Sequence, residues 1–157
     1  MLVAGCFGGF GVLRRDDSIL WWKRTPFTDM MLRLPGLADL SGDGRLSIGV
    51  CHSNGIFECF DAATGRELWS LDLGSTTSDI VSGDIDGDGK EEFITGTTDG
   101  HLIAIGLDAS GRGVIRWSLE LGFALGSPVV ADADGDGKAE ILVVTGDGML
   151  VCVGKEE

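Results

Sequence analysis

Asp84-Ile85-Asp86-Gly87-Asp88-Gly89-Lys90-Glu91-Glu92 returns almost unchanged as Asp132-Ala133-Asp134-Gly135-Asp136-Gly137-Lys138-Ala139-Glu140. Each copy sets acidic side chains at positions 1, 3, 5 and 9 of a short loop. These are Asp84, Asp86, Asp88 and Glu92 in one copy, and Asp132, Asp134, Asp136 and Glu140 in the other. Carboxylates are hard oxygen ligands, and the backbone carbonyl of position 7 (Lys90 or Lys138) adds another. Such a set suits the six to eight oxygens that Ca²⁺ takes. Glycines at positions 4 and 6 let the loop turn back with positive φ. One such loop reads equally well as a solvated acidic turn; two copies at the same spacing point to metal.

A weaker copy lies upstream, Asp39-Leu40-Ser41-Gly42-Asp43-Gly44-Arg45-Leu46-Ser47. With Ser41 and Ser47 at positions 3 and 9, it offers only the carboxylates of Asp39 and Asp43, plus the Arg45 carbonyl. Its shape should persist, but affinity falls with ligand charge, so the site is expected to be weak or empty.

The loops recur at 45 and then 48 residues. A period of about 40–50 residues is that of one four-stranded propeller blade. Apolar-rich strand candidates follow each loop, at 46–52, 91–97 and 139–145. Asn54-Gly55, Asp99-Gly100 and Asp147-Gly148 then read as two-residue hairpin turns, leading into strands at 56–61, 101–107 and 149–153. A fourth strand carries a Trp at 67–73 and 114–121, and the next repeat opens at 78–84 or 127–132. At the N-terminus, 2–6, a Gly8-Gly9 turn, 11–15 and 19–24 read as strands two to four of an earlier blade. No 3.6-residue apolar period stands out, so helices should be scarce. The expectation is an all-β domain over 1–157, a β-propeller or part of one. Its repeats fall near 1–31, 32–77, 78–126 and 127–157, with fourteen strands grouped three, four, four and three, about half of a seven- or eight-bladed ring.

The 26 glycines suit short strands joined by tight turns, and 43% hydrophobic content is enough to fill a core. The formal net charge is −13, which argues against nucleic acid and anionic membrane as partners. Ten acidic groups sit at the ligand positions of the three loops, four, four and two. No apolar run is long enough for a membrane span, and residues 1–13 lack the basic start of a signal peptide. Either the protein stays in the cytoplasm or its export signal is not part of this sequence.

Cys59 and Cys152 each lie four residues after a turn glycine, where the middle repeat has Ala104. A small buried residue is expected there. A two-residue Asn54-Gly55 turn would pair Cys59 with Val50 and leave Cys51 on the opposite face, against a disulfide. With Cys6, the four cysteines show no metal spacing. His52 and His101 flank turns with no nucleophile nearby and read as surface residues.

Asp61-Ala62-Ala63-Thr64-Gly65-Arg66-Glu67-Leu68-Trp69 puts a turn and then a large aromatic on the outer strand. Asp108 to Trp117 is a looser version and Asp17 to Trp22 a shorter one. A Trp at one place in successive repeats is expected to pack between blades; a ligand-stacking role is the alternative.

The acidic loops resemble the FG-GAP/VCBS repeat family of calcium-loop propellers, also seen in integrin α-subunit heads. The Asp61 to Trp69 segment resembles the repeat of quinoprotein-like (PQQ-type) propellers. The first resemblance implies Ca²⁺ at positions 1, 3, 5, 7 and 9 of the two full loops, although Glu92 and Glu140 stand where Asp is usual. It also implies an extracytoplasmic setting. The second does not carry quinone chemistry with it, since no catalytic set accompanies the Trp motif. The expected function is a non-catalytic calcium-binding scaffold or adhesion module with protein partners or self-association. The alternatives are a fragment of a larger propeller enzyme (a quinoprotein dehydrogenase or polysaccharide lyase) and a carbohydrate-binding propeller.

Overall fold

The computed structural model describes residues 2–6, 9–24 and 33–154, with side chains from residue 9 onward. Among them, fourteen strands form four antiparallel sheets, each a meander in chain order. The first holds β1 (Leu2–Cys6), β2 (Gly9–Leu13) and β3 (Ile19–Arg24). The second holds β4 (Gly36–Ala38), β5 (Ser47–Cys51), β6 (Ile56–Asp61) and β7 (Glu67–Asp72). The third holds β8 (Val81–Gly83), β9 (Glu92–Gly96), β10 (His101–Leu107) and β11 (Gly113–Glu120). The fourth holds β12 (Val129–Ala131), β13 (Glu140–Val144) and β14 (Leu150–Val153). The grouping of three, four, four and three is the one read from the sequence.

Consecutive sheets pack face to face through three apolar layers. Phe10 and Val12 meet Ile48, Val50 and Phe60 between the first and second sheets. Phe57 and Cys59 meet Phe93 and Ile105 between the second and third. Ile94, Leu102 and Ala104 meet Ile141 and Val143 between the third and fourth. Central strands are buried on both faces: every residue of β5 and of β9 is buried.

Three turn expectations are corrected. The hairpins after β5, β9 and β13 have three-residue loops, not two. His52 N–H donates to the Ile56 carbonyl (2.9 Å) and Gly55 N–H to the His52 carbonyl (3.0 Å). The same pair of bonds recurs at Thr97 and His101 and at Thr145 and Met149. Gly55, Gly100 and Gly148 supply the left-handed third residue, with φ of 86°, 96° and 90°. One extra loop residue shifts the register by one, so Cys59 pairs with Gly49 and Cys51 with Phe57. Cys51 and Cys59 therefore share a face, and both are buried free thiols. Burial pushes the Cys59 thiol up to about 12, so it behaves as a small apolar filler. At the N-terminus, Gly9 of the expected Gly8-Gly9 turn instead pairs with Cys6 and opens β2, while Gly8 lies outside the described residues.

Two burial expectations are corrected as well. His52 is buried, its imidazole Nε2 lying 2.8 Å from a Glu58 carboxylate oxygen, which compensates the loss of water. His101 is half-exposed beside Asp99. Cys152 is exposed, because its face of the fourth sheet has no further sheet against it among the described residues.

A β-bulge recurs at one place in three sheets, between Val12 and Leu13, Cys59 and Phe60, and Ala104 and Ile105. The residues paired with Val12, Cys59 and Ala104 are Trp21, Trp69 and Trp117. All three indoles are half-buried in the inter-sheet layers, as expected for packing between blades.

Candidate metal centre

Each acidic loop joins the inner strand of a sheet to the next strand, and the carboxylate at position 1 organises it. Asp84 accepts the amides of Gly87 (2.7 Å), Asp88 (3.1 Å) and Gly89 (2.9 Å). Asp132 accepts those of Gly135 (2.7 Å) and Gly137 (3.0 Å). Asp39 accepts those of Gly42 (2.9 Å), Asp43 (3.2 Å) and Gly44 (2.7 Å). Glycines at positions 4 and 6 take φ between 70° and 89° in all three loops. The weak first loop thus keeps the shape of the other two.

In the loop of the third sheet, oxygens of Asp84, Asp86 and Glu92 lie within 4.8 Å of one another. In that of the fourth sheet the converging set is Asp132, Asp134 and Asp136. The remaining carboxylate of each loop is turned to a local partner. Asp88 accepts the Lys90 amide (2.9 Å) and faces the Lys90 ammonium (3.3 Å). Glu140 accepts the Ala133 amide at 2.8 Å. Lys138 Nζ lies 3.4 Å from Asp136, and the Lys138 amide donates to the same residue at 2.8 Å. In the first loop, Ser41 Oγ is 3.5 Å from Asp39, Arg45 pairs with Asp43 at 3.8 Å, and Ser47 is buried in β5.

Three carboxylates at that separation form an all-oxygen donor set whose mutual repulsion suits a hard divalent cation. Glu92 is only 5% exposed. Burial and then the charges of Asp86, Asp88 and Asp84 push its carboxyl up to about 7, against a single opposing bond from the Ile85 amide. Asp88 is held below the usual carboxylate range, chiefly by the Lys90 amide. Asp43 is lowered likewise, first by the Ser41 hydroxyl.

Two residues beside the loops were not singled out from the sequence. Arg116 is the extra residue of the β11 bulge, and its guanidinium lies 3.8 Å from Asp86. A bulge re-aims a side chain in this way; the signal was a charged residue where the second sheet has Leu68. Glu91, at position 8, binds the backbone of Asp39 in the neighbouring loop. Its signal was an acid where the other two loops carry Leu46 and Ala139.

The FG-GAP-like repeat family matches residues 84–143, a segment that contains both full loops. No curated protein matches the chain. Among solved structures, it is similar to BamB from Moraxella catarrhalis, at 22% identity and a TM-score of 0.68. That match covers 97% of this chain and 42% of BamB. It is also similar to BBS1N in complex with ARL6DN, at 15% identity and a TM-score of 0.72, over 98% of this chain and 46% of that one. Both are β-propellers, and this chain spans less than half the length of either. By fold this chain is a β-propeller or part of one, and its residues 84–143 match the FG-GAP-like repeat family.

Proposed function

We propose that this chain is a calcium-stapled propeller module that binds protein partners and carries no catalytic centre of its own. The observation that carries the reading is the convergence of three carboxylates in each of two loops that share one backbone turn. Asp84 and Asp132 fix the loop backbone, while Asp86 and Glu92, or Asp134 and Asp136, turn their oxygens to a common point. A bound Ca²⁺ would supply the positive charge that offsets their repulsion and ties the inner strand to its neighbour. At dissociation constants near those of extracellular modules, millimolar Ca²⁺ would add about 1.4 kcal/mol per site. That is a useful share of a total of about 5–15 kcal/mol.

The partner reading draws on the propeller fold and on the FG-GAP-like repeats. Of BBS1N, the solved structure is itself a complex with ARL6DN. A surface with net charge −13 favours a partner presenting basic residues.

Calorimetric titration of the chelator-treated protein with CaCl₂ tests the metal part. Two binding events, reduced to one by Asp86→Asn or by Asp134→Asn, are expected. Heats no larger than dilution would remove the calcium reading.

A further inference from the structure

The first and second acidic loops, 39–47 and 84–92, are joined by a pair of hydrogen bonds between Glu91 and Asp39. The Glu91 carboxylate accepts the Asp39 amide at 2.6 Å, and the Glu91 amide donates to the Asp39 carbonyl at 3.0 Å. One residue of the second loop therefore holds both backbone polar groups of Asp39 in the first. Asp39 is the residue whose carboxylate gathers the amides of Gly42, Asp43 and Gly44. A second contact lies alongside: a side-chain carbon on Gly42 would sit 2.7 Å from the Gly89 carbonyl oxygen.

None of this recurs one sheet further on. Position 8 of the third loop is Ala139, which has no carboxylate to reach the Asp84 amide. A side-chain carbon on Gly87, the equivalent of Gly42, would meet nothing within 4 Å. The space beside Ala139 is a cavity of about 270 Å³ bounded by Ile85, Asp86 and Trp117.

We propose that Glu91 couples the first two loops, so that a cation held by Asp84, Asp86 and Glu92 orders the backbone of the first loop. The inference rests on the calcium reading above. Glu91 adjoins the converging residue Glu92, so fixing Glu92 fixes Glu91, which in turn fixes Asp39. The first loop, with two carboxylates, then owes its order to its neighbour rather than to a cation of its own. By linkage the coupling is reciprocal, and order in the first loop raises cation affinity in the second.

The test is residue-resolved amide hydrogen exchange of the full chain, in an Asp43→Asn background that leaves the first loop a single carboxylate. At a CaCl₂ concentration that saturates the second loop, exchange at Gly42 and Gly44 is expected to slow about five-fold or more. Glu91→Ala is expected to abolish that slowing while Gly87 and Gly89 still respond; Ala139 shows that alanine is accommodated at the equivalent place. Asp86→Asn, which disables the second loop and leaves Glu91 in position, must abolish it too, and Glu91→Gln, which retains an acceptor oxygen, should keep part of it. Response at Gly87 and Gly89 without response at Gly42 and Gly44 would overturn the coupling alone. Slowing that survives Glu91→Ala or Asp86→Asn would overturn it as well. No response in any loop would overturn the coupling together with the calcium reading.

Discussion

The indole Nε1–H of Trp21 donates a 2.9 Å hydrogen bond to the carbonyl of Ala62, crossing from the outer strand of one sheet to the turn of the next. The Trp21 ring also covers Gly65, where an added side-chain carbon would lie 2.6 Å from it. Trp69 lies over a glycine in the same way one sheet on, stacked against Phe57 at 5.8 Å and covering Gly113, where an added side-chain carbon would collide with the ring. Two outer strands, β3 and β7, are thereby each pinned to the following sheet by one aromatic that needs one glycine beneath it.

Trp69→Ala is expected to cost about 3 kcal/mol, the low end for truncating a large aromatic because the ring is only half-buried. Gly113→Val should destabilise by displacing the same ring from the opposite side. Urea unfolding followed by circular dichroism measures both. A double variant whose cost equals the sum of the two single costs would show that ring and glycine do not act as a unit.

Calcium should raise the melting temperature of the chelator-treated protein, and Mg²⁺ should do so less, because it demands tighter octahedral geometry. Asp86→Ala and Asp134→Ala should each remove part of the gain, and Ser41→Asp should enlarge it by restoring a carboxylate to the first loop. A melting curve indifferent to chelator would contradict the assignment of both full loops.

Glu92 gives the metal-free protein an unusual pH response. Its folded pKa of about 7 lies above its usual 4.5, so the folded state holds the proton more tightly than the unfolded chain. The associated stability is present below pH 4.5 and is lost as pH rises through about 7, at up to about 1.4 kcal/mol per pH unit. Asp43, Asp61 and Asp88, all lowered, act in the opposite sense and lose their contribution in stronger acid. In chelator, stability should therefore peak near pH 4–5 and fall toward neutrality. Glu92→Gln should flatten the neutral limb, and so should saturating Ca²⁺. A wild-type profile already flat between pH 5 and 7 would contradict the burial of this carboxylate as a source of strain.

Strand number, sheet grouping and loop shape were legible because each depends on local chemistry repeated at a fixed interval. Glycine at positions 4 and 6 dictates the turn of the loop whether position 3 is Asp86 or Ser41. Register was less legible, since Asn54-Gly55 is compatible with two-residue and three-residue hairpins and only the partner strand selects between them. That single residue decided the face of Cys51. The roles of Glu91 and Arg116 depend on how closely neighbouring sheets approach and on where a bulge falls. Those are properties of packing between repeats, which a pattern within one repeat does not encode. The Glu92 pKa has the same origin: its position among the ligands was readable, but its burial follows from β9 lying between two covered faces.

The outer face of the fourth sheet supplies the last expectation. On the third sheet the corresponding face, with Ile94, Leu102 and Ala104, is covered by the sheet that follows it. On the fourth sheet, Leu142 pairs with Val129 and Cys152, and Val144 with Leu150, so these side chains share one side. Val129, Val144 and Leu150 are 56%, 50% and 65% exposed, a contiguous apolar strip of the kind that monomers seldom leave uncovered. The purified chain should therefore self-associate through this face. Val144→Lys combined with Leu150→Lys should shift it toward a 16.5 kDa particle in light scattering without lowering the melting temperature, since neither side chain packs inward. Wild-type protein that remains a monodisperse 16.5 kDa species at high concentration would show that the strip is tolerated in water and drives no assembly.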